Sequence, residues 1–467
     1  MSFTISLAVA PPSTVAVKLA RELRAMLGLA LPLVLTQLVQ VLVYTTEVLL
    51  LGRLGAAPLA AATLAAALFH AAMMFGVGVA SATAPLVAQA KGARRPRLIR
   101  RTVRQGLWVT LALTVPLMAA LWFVRPLLAA MGQDPALLPM TEAYMRHAVW
   151  GLPFAVGFIV LRSFTSAFGR TGAVLAAALV AGLLNVPLSY GLIFGRLGLP
   201  ALGTAGAGIA VAITFALMFL LLLAYCLGVR PFRRYAVLGR FWRPDLPVFR
   251  EILRVGLPIG GAVLMETGLF ALSTLLMGLI GTAQLAAHQV SLQLASISFM
   301  VPLGISHAAT IRVGLAIGAG DGRAARLSGW VACGLGVAFM GTMALVFWHF
   351  RATLAGLFLD AGTAEGAAAL AYAVVFLRVA ALFQLVDGLQ VIGIASLRGL
   401  KDTTVPMWLA GFGYWLVGFP VCAVLGFLTP LSGLGIWIGL AMALATVALV
   451  MIARFHRLTR SRTTIPA

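Results

Sequence analysis

The sequence predicts an all-α integral membrane protein whose twelve transmembrane helices form two pseudo-symmetric six-helix bundles. Composition is the first reason: 62% of the 467 residues are hydrophobic and 10% are charged, whereas soluble domains average about 45–50% apolar and about 25% charged residues. Charge-free stretches are the second, since 204–229, 405–429 and 433–453 each reach the roughly 20 residues that a helix needs to cross a bilayer. An internal repeat, described below, is the third.

The predicted spans alternate with short polar connections along the whole chain. They cover residues 26–50, 58–88, 105–124, 138–160, 172–193, 206–228, 255–279, 285–314, 327–350, 367–396, 405–428 and 433–454. The longest polar interruption, residues 228–254, lies near the middle of the chain.

The formal net charge of +22 is distributed unevenly between the two sides of this twelve-span arrangement. The loops and termini that share one side carry 28 of the 34 Lys and Arg residues. Positively charged loops remain in the cytoplasm, so we expect both termini to be cytoplasmic and the protein to lie in a bacterial cytoplasmic (inner) membrane. The positive charge is thus explained by the membrane topology and by attraction to anionic membrane lipids. It gives little reason to expect nucleic acid as a partner.

The two halves of the chain are related by a shift of 226 positions without a gap. The shift superposes identical glycines, identical prolines and one Leu-Ala-Ala triplet. The superposed positions are Pro32 and Pro258, Gly52 and Gly278, Gly55 and Gly281, 59–61 and 285–287, Gly78 and Gly304, and Gly92 and Gly318. Six spans separate the copies, so both halves enter the membrane in the same sense, as in transporters whose site lies between parallel repeats. We expect an N-terminal lobe (1–228), a cytoplasmic basic linker (229–254) and a C-terminal lobe (255–467).

Only three acidic residues lie well inside the predicted spans: Glu47, Glu266 and Asp387. A carboxylate at a helix centre costs roughly 2.5–3.5 kcal/mol on insertion scales and tends to face a cavity where it is functional. The structural alternative is an ion pair with an arginine inside the membrane, such as Arg378 or Arg146.

Polar and aromatic residues accompany these acids at helical spacing. Phe383, Gln384 and Gln390 share a face with Asp387, and Phe270 follows Glu266 by one turn. In the first span, Gln40 lies nearly in line with Glu47, with Tyr44 beside them. The candidate substrate-binding residues are therefore Phe270, Phe383, Gln384, Gln390, Gln40, Tyr44, Asn185, His288 and Gln289. A purely structural role is also open for His288, and for Asn185 helix packing and cavity lining are equally open.

Other chemistries find little support in the sequence. The glycine-rich segment GLAIGAGDGR (314–323) follows a predicted helix and lacks the Lys-Ser/Thr ending of a phosphate loop, and no soluble domain is long enough to bind ATP. No metal-ligand spacing or catalytic triad is recognisable, so we expect neither an enzyme nor a cofactor. Cys226, Cys333 and Cys422 are interpreted as buried thiols.

The segment LAAHQVSLQLASISFMVPLGISHAATIRVGLAIGAG (285–320), with ALPLVLTQLVQ (30–40) and LRGLKDT (397–403), resembles the multidrug and toxic compound extrusion (MATE) family, in particular its NorM-type bacterial members. The resemblance implies that Glu266 and Asp387 match the carboxylates used for cation or proton coupling in the C-terminal lobe. It also implies that Glu47 stands where relatives carry an acid in the first span.

Two positions depart from the family pattern. Phe383 replaces the Tyr found one turn before the tenth-span acid in members thought to bind Na⁺, and Ser189 stands where some members carry a fifth-span acid. Phe383 favours H⁺ slightly over Na⁺ as the coupling ion, because it has no hydroxyl to bind Na⁺, with Na⁺ at Glu266 and Asp387 kept as an alternative. Ser189 argues against a cation site in the N-terminal lobe like that of those members.

We therefore predict a secondary antiporter, expected to be a monomer, that exports amphipathic organic-cation drugs or toxins in exchange for H⁺ or Na⁺. One alternative is a flippase for lipid-linked precursors of the related polysaccharide-exporter type, which the acidic membrane residues disfavour. A less favoured alternative is a membrane-embedded enzyme.

Overall fold

Twelve long apolar helices make up the computed structural model, which describes residues 14–360 and 362–463. In order, the spans are Ala16–Leu54, Ala56–Gly92, Pro96–Trp122, Leu138–Ala167, Thr171–Phe194, Thr204–Gly228, Leu246–Ile280, Thr282–Gly318, Gly322–Gly356, Ala364–Gly399, Thr404–Phe427 and Gly433–Ser461. All twelve predicted spans are confirmed. Most of the helices are longer than predicted because polar residues at their ends continue the helix beyond the apolar segment.

Three spans are interrupted where the local sequence disfavours a continuous α-helix. The second consists of helices Ala56–Ala80 and Thr83–Gly92, and the fourth passes through a short 3₁₀ turn before Pro153. The eleventh contains a π-helical segment, Phe412–Gly418, just before Pro420. A π-helix adds one residue to each turn and rotates the following side chains, and this segment carries Tyr414 to the candidate site.

Apolar side chains occupy both the interior and the outer surface of each lobe. Tyr144 and Phe164 are fully buried in the N-terminal lobe, as are Tyr414 and Trp437 in the C-terminal lobe. On the outside, leucines such as Leu183 are up to about three-quarters exposed. A surface this apolar is the one that a lipid-facing protein needs.

The lobes meet through contacts that obey the 226-residue repeat. A Cβ atom added to Gly92 would lie 2.2 Å from the carbonyl oxygen of Leu315, and one added to Gly318 would lie 2.1 Å from that of Gln89. The shift relates these two contacts, since it carries residue 89 to 315 and residue 92 to 318. The sequence repeat is therefore realised as a pseudo-two-fold interface between the lobes.

A second pair of symmetry-related contacts lies nearer the middle of the membrane. An added Cβ at Gly78 would approach the Cα of Gly260 to 2.7 Å, and one at Gly304 would approach a side-chain carbon of Val34 to 2.3 Å. These glycines lie within about four helical turns of the span ends on the side that carries residues 229–245. We call that side the linker side.

Hydrogen bonds and an ion pair reinforce the interface on the linker side. Arg312 of the eighth span forms a bidentate ion pair with Glu22 of the first, and Ser328 of the ninth span donates to the same carboxylate over 2.7 Å. The Gln89 amide donates to the carbonyl oxygen of Gly399 over 2.9 Å. The two lobes are thus tied together at their linker-side ends.

The segment between the lobes packs on the third span. Trp108 donates from Nε1 to the carbonyl oxygen of Phe241 over 2.8 Å and stacks on its ring. Arg101 hydrogen-bonds Asp245, which lowers the pKa of that carboxyl group. The seventh span begins at Leu246 because Asp245 and Pro247 begin a helix there, so residues 246–254 of the predicted linker belong to that helix.

Candidate functional site

The predicted acids of the C-terminal lobe lie beside a glutamine and a tyrosine that join three spans. Gln390 of the tenth span has its amide nitrogen 3.4 Å from a carboxylate oxygen of Glu266 in the seventh and 2.5 Å from the hydroxyl of Tyr414 in the eleventh. Asp387 lies one turn before Gln390 and is only 6% exposed. We call Glu266, Asp387, Gln390 and Tyr414 the C-lobe cluster.

No cation neutralises the two carboxylates of this cluster at close range. Glu266 and Asp387 interact electrostatically with each other, and within residues 14–360 and 362–463 neither forms an ion pair. Arg146 pairs instead with Glu142 over 2.6 Å, and Arg378 is exposed, so the structural-pair alternative is not realised. Arg398 interacts with Glu266 only beyond ion-pair distance. An uncompensated charge away from water costs several kcal/mol, so a proton or another cation bound at the buried Asp387 would stabilise this cluster.

Aromatic rings form a wall next to the cluster. The Phe383 ring makes edge contacts with Phe270, at 6.2 Å between centroids, and with Trp437 at 5.6 Å. His288 makes a similar edge contact with Trp437 at 5.6 Å and lies 3.3 Å from the hydroxyl of Thr274. Phe270 is partly exposed, so of the two predicted phenylalanines it is the more accessible to a ligand.

Of the remaining predicted residues of this lobe, Gln384 is buried and Gln289 is exposed. Gln384 is fully buried and exchanges hydrogen bonds with Ser298 over 2.6 and 2.9 Å, which fixes the tenth span against the eighth. Gln289 is exposed although its neighbour His288 is buried, because adjacent helical residues point about 100° apart. Gln384 therefore supports the site, and Gln289 is free to contact a ligand.

A second carboxylate cluster lies in the N-terminal lobe. Glu47 is 6% exposed and lies next to the buried hydroxyl of Tyr144 in the fourth span, with which it interacts electrostatically. Its Oε1 atom has no hydrogen-bond partner among the described residues. Tyr44, one turn earlier, is 52% exposed, and Gln40 is partly exposed. The predicted polar face of the first span thus runs from an accessible tyrosine to a buried acid.

Polar groups of the fifth span lie at the level of Glu47. Gly182 packs against Val39 in the parallel first span, which places the following turns of the two helices side by side. Asn185 donates to Thr214 over 2.9 Å, while its carbonyl oxygen and the hydroxyl oxygen of Ser189 are buried without a partner in the described chain. Asn185 therefore joins two helices and also leaves an acceptor available.

Sequence reasoning missed Tyr144 and Tyr414. Each is a single tyrosine in an apolar helix, a pattern that is more often typical of packing than of a site. Their partners, Glu47 and Gln390, lie on other spans, so no spacing within one helix could have indicated them.

Comparisons with known proteins agree with this architecture. The family model MatE matches residues 32–191 and again residues 258–424. The second match begins 226 residues after the first, which is the shift found in the sequence. The chain belongs to the MatE family.

The most similar relatives include proteins named "probable multidrug resistance protein NorM". That of Mesorhizobium japonicum is 45% identical and covers 94% of this chain and 95% of its own length. That of Pseudomonas aeruginosa is 39% identical, over 93% and 89%. This member of the MatE family is therefore a multi-pass membrane transporter, and the prediction that it is not an enzyme is confirmed.

Solved structures share the fold at low sequence identity. The eukaryotic MATE transporter AtDTX14 has a TM-score of 0.83 at 19% identity and covers 95% of this chain and 99% of its own. A MATE protein in a straight conformation has a TM-score of 0.85 at 20% identity, over 97% and 100%. These similarities confirm the predicted arrangement of two six-helix bundles.

Proposed function

We propose that this MatE protein is a multidrug efflux antiporter that exchanges cytoplasmic amphipathic organic cations for H⁺. The observation that carries the proposal is the C-lobe cluster, where Glu266 and Asp387 lie together and neither forms an ion pair with a described basic residue. An organic cation and a proton each neutralise such a carboxylate, so binding of one displaces the other. The related NorM proteins, named for multidrug resistance, support the same substrate class.

The partner residues favour a proton over Na⁺. Gln390 directs amide hydrogens toward Glu266 and Tyr414, an arrangement that suits a carboxyl group exchanging a proton. Phe383 supplies no oxygen ligand one turn before Asp387. A sodium ion would depend on the two carboxylates, the carbonyl oxygen of Gln390 and the hydroxyl of Tyr414.

The orientation of the protein in the membrane follows from the distribution of its positive charges. The linker side carries most of the Lys and Arg residues, so we assign it to the cytoplasm of a bacterial inner membrane. Because the lobes are packed together there, this conformation is closed to the cytoplasm. Protonation from the opposite side would release the drug outward, and loss of the proton after the lobes reorient would restore the site, since each state needs only a different affinity for the two ions.

Uptake of ethidium into everted membrane vesicles tests the proposal with a pH gradient and a Na⁺ gradient imposed separately. We expect the pH gradient alone to drive transport, and Glu266→Gln and Asp387→Asn each to reduce it to background at normal membrane abundance. Glu365→Gln, at the exposed start of the same helix as Asp387, is the matched control and should transport normally. If only the Na⁺ gradient drove transport, the coupling ion would be Na⁺ and not H⁺. If neither gradient affected transport, antiport would be refuted.

A further inference from the structure

A small polar cavity lies between the lobes on the linker side. Neither Glu47 nor any residue of the C-lobe cluster lines it, although Arg398 in its wall interacts electrostatically with Glu266. The volume of the cavity is about 20 Å³, and both lobes line it, the N-terminal lobe with Ser81, Arg162, Ser163 and Ser166 and the C-terminal lobe with Thr310 and Arg398. A space of this size accommodates one or two particles as large as water.

Two arginines face this cavity without a carboxylate partner. Arg162 is 6% exposed, and its guanidinium lies 3.4 Å from the side-chain oxygen of Gln37 and 3.4 Å from Nε2 of His307. Arg398 is partly buried, and Glu266 interacts with it only beyond ion-pair distance. In the part of the chain that the structure describes, no ion pair includes either arginine.

The hydroxyl groups of the cavity leave one free donor. Ser81 donates to Gly78 over 2.6 Å, Ser163 to Ile159 over 2.7 Å, and Thr310 to the backbone carbonyl of Ala395 over 2.8 Å. These three hydroxyl groups therefore already donate their hydrogen bonds to backbone carbonyl oxygens.

Ser166 differs from these residues. It is 1% exposed, and its Oγ atom has no hydrogen-bond partner among the described residues. Together with the two guanidinium groups it provides donors on several sides of one small space. Two positive charges in a low-dielectric interior repel each other, and an anion between them would turn that repulsion into attraction.

We propose that this cavity binds one small inorganic anion, chloride in the cell, which bridges Arg162 and Arg398 and stabilises the packed linker side of the two lobes. Organic phosphates are excluded by size. Because each lobe supplies one arginine, the site exists only while the lobes are together, and separation of the lobes releases the anion.

Thermal unfolding of the purified full-length protein tests anion binding without any transport measurement. Chloride, titrated against gluconate at constant ionic strength and pH, should raise Tm saturably, and bromide should do the same. Ser166→Ala, which removes one donor but no charge, should raise the half-saturating chloride concentration about tenfold, as expected for the loss of one charge-assisted hydrogen bond. Arg162→Gln and Arg398→Gln should abolish the response, whereas the control Arg378→Gln should retain it.

The effect on the lobes is measured with spin labels at Arg97→Cys and Arg323→Cys, exposed linker-side positions of opposite lobes. Chloride should increase the short-distance population in the wild-type background, and Ser166→Ala should weaken that dependence. A Tm that is the same in chloride and gluconate would overturn the site. A chloride-dependent Tm with an unchanged distance distribution would overturn the bridge.

Discussion

Substitution of Gly92 by alanine is expected to weaken closure of the linker side. Gly92 ends the second span, where it packs against the backbone of the eighth. An alanine in a helix is otherwise neutral or stabilising relative to glycine. Any loss of closure therefore reports on the contact between the lobes rather than on the helix itself.

The size of the effect follows from the geometry of the contact. The new Cβ would lie 2.2 Å from the carbonyl oxygen of Leu315 and 2.9 Å from the amide nitrogen of Ala319. A carbon–oxygen contact needs about 3.3 Å, so the lobes must separate locally by about 1 Å. Because the opposing atoms are backbone, no side-chain rotation relieves the overlap. Overpacking costs about 1–3 kcal/mol, which shifts an equilibrium between closed and open states about 5- to 150-fold.

Double electron–electron resonance between labels at Arg97→Cys and Arg323→Cys measures this shift directly. Gly92→Ala should move population from short to long distances. Gly318→Ala should do the same, since the repeat makes the two contacts equivalent. Gly28→Ala on the same side of the first span meets no atom within 4 Å and serves as the control. The native Cys226, Cys333 and Cys422 are buried, so the labels attach selectively to the introduced thiols.

Two results would refute this reasoning. If Gly92→Ala and Gly318→Ala both kept the distance distribution of the parent protein, the glycine contacts would not control closure. If only one of them opened the lobes, the pseudo-two-fold interface would not describe the energetics.

Three further changes give separate predictions. Glu47→Gln should abolish pH-driven ethidium efflux. Tyr144→Phe, which removes the hydroxyl group beside Glu47, should reduce efflux only about 2- to 10-fold, the loss expected for one polar interaction of about 0.5–1.5 kcal/mol, and an equal loss in both variants would contradict this order. Arg312→Gln leaves the buried Glu22 without its cation and should destabilise the protein by about 1–3 kcal/mol, seen as a lower Tm and a longer distance between the labelled lobes, and an unchanged Tm would show that the pair contributes nothing. Tyr414→Phe removes the hydroxyl that accepts from the buried glutamine amide and should cost about 1–3 kcal/mol; a Tm equal to that of the parent protein would show that water replaces it.

Much of the fold could be predicted from local patterns. Every predicted span is present because hydropathy over about 20 residues decides membrane insertion whatever the neighbours are. The 226-residue shift was visible because glycines such as Gly92 and Gly318 have no tolerated substitute where backbones touch. The seventh helix begins nine residues before the end of the predicted linker, because the polar and basic residues after Asp245 continue the helix beyond the apolar segment.

The candidate site was predictable only in part. Glu47, Glu266 and Asp387 stand out because a carboxylate in an apolar segment is costly and therefore rare. Their partners did not stand out, since Tyr144 and Tyr414 are ordinary residues for a buried helix.

The sequence by itself determined the number of spans, their two-fold repetition and the acids in the membrane, because each depends on a residue and its near neighbours in the chain. Tertiary structure alone decided that Glu266 lies beside Gln390, that Tyr144 lies beside Glu47, and that Arg162 shares a cavity with Arg398. Such pairs depend on how each helix is rotated about its axis and how deeply it sits against the next one. Packing over the whole molecule sets both quantities.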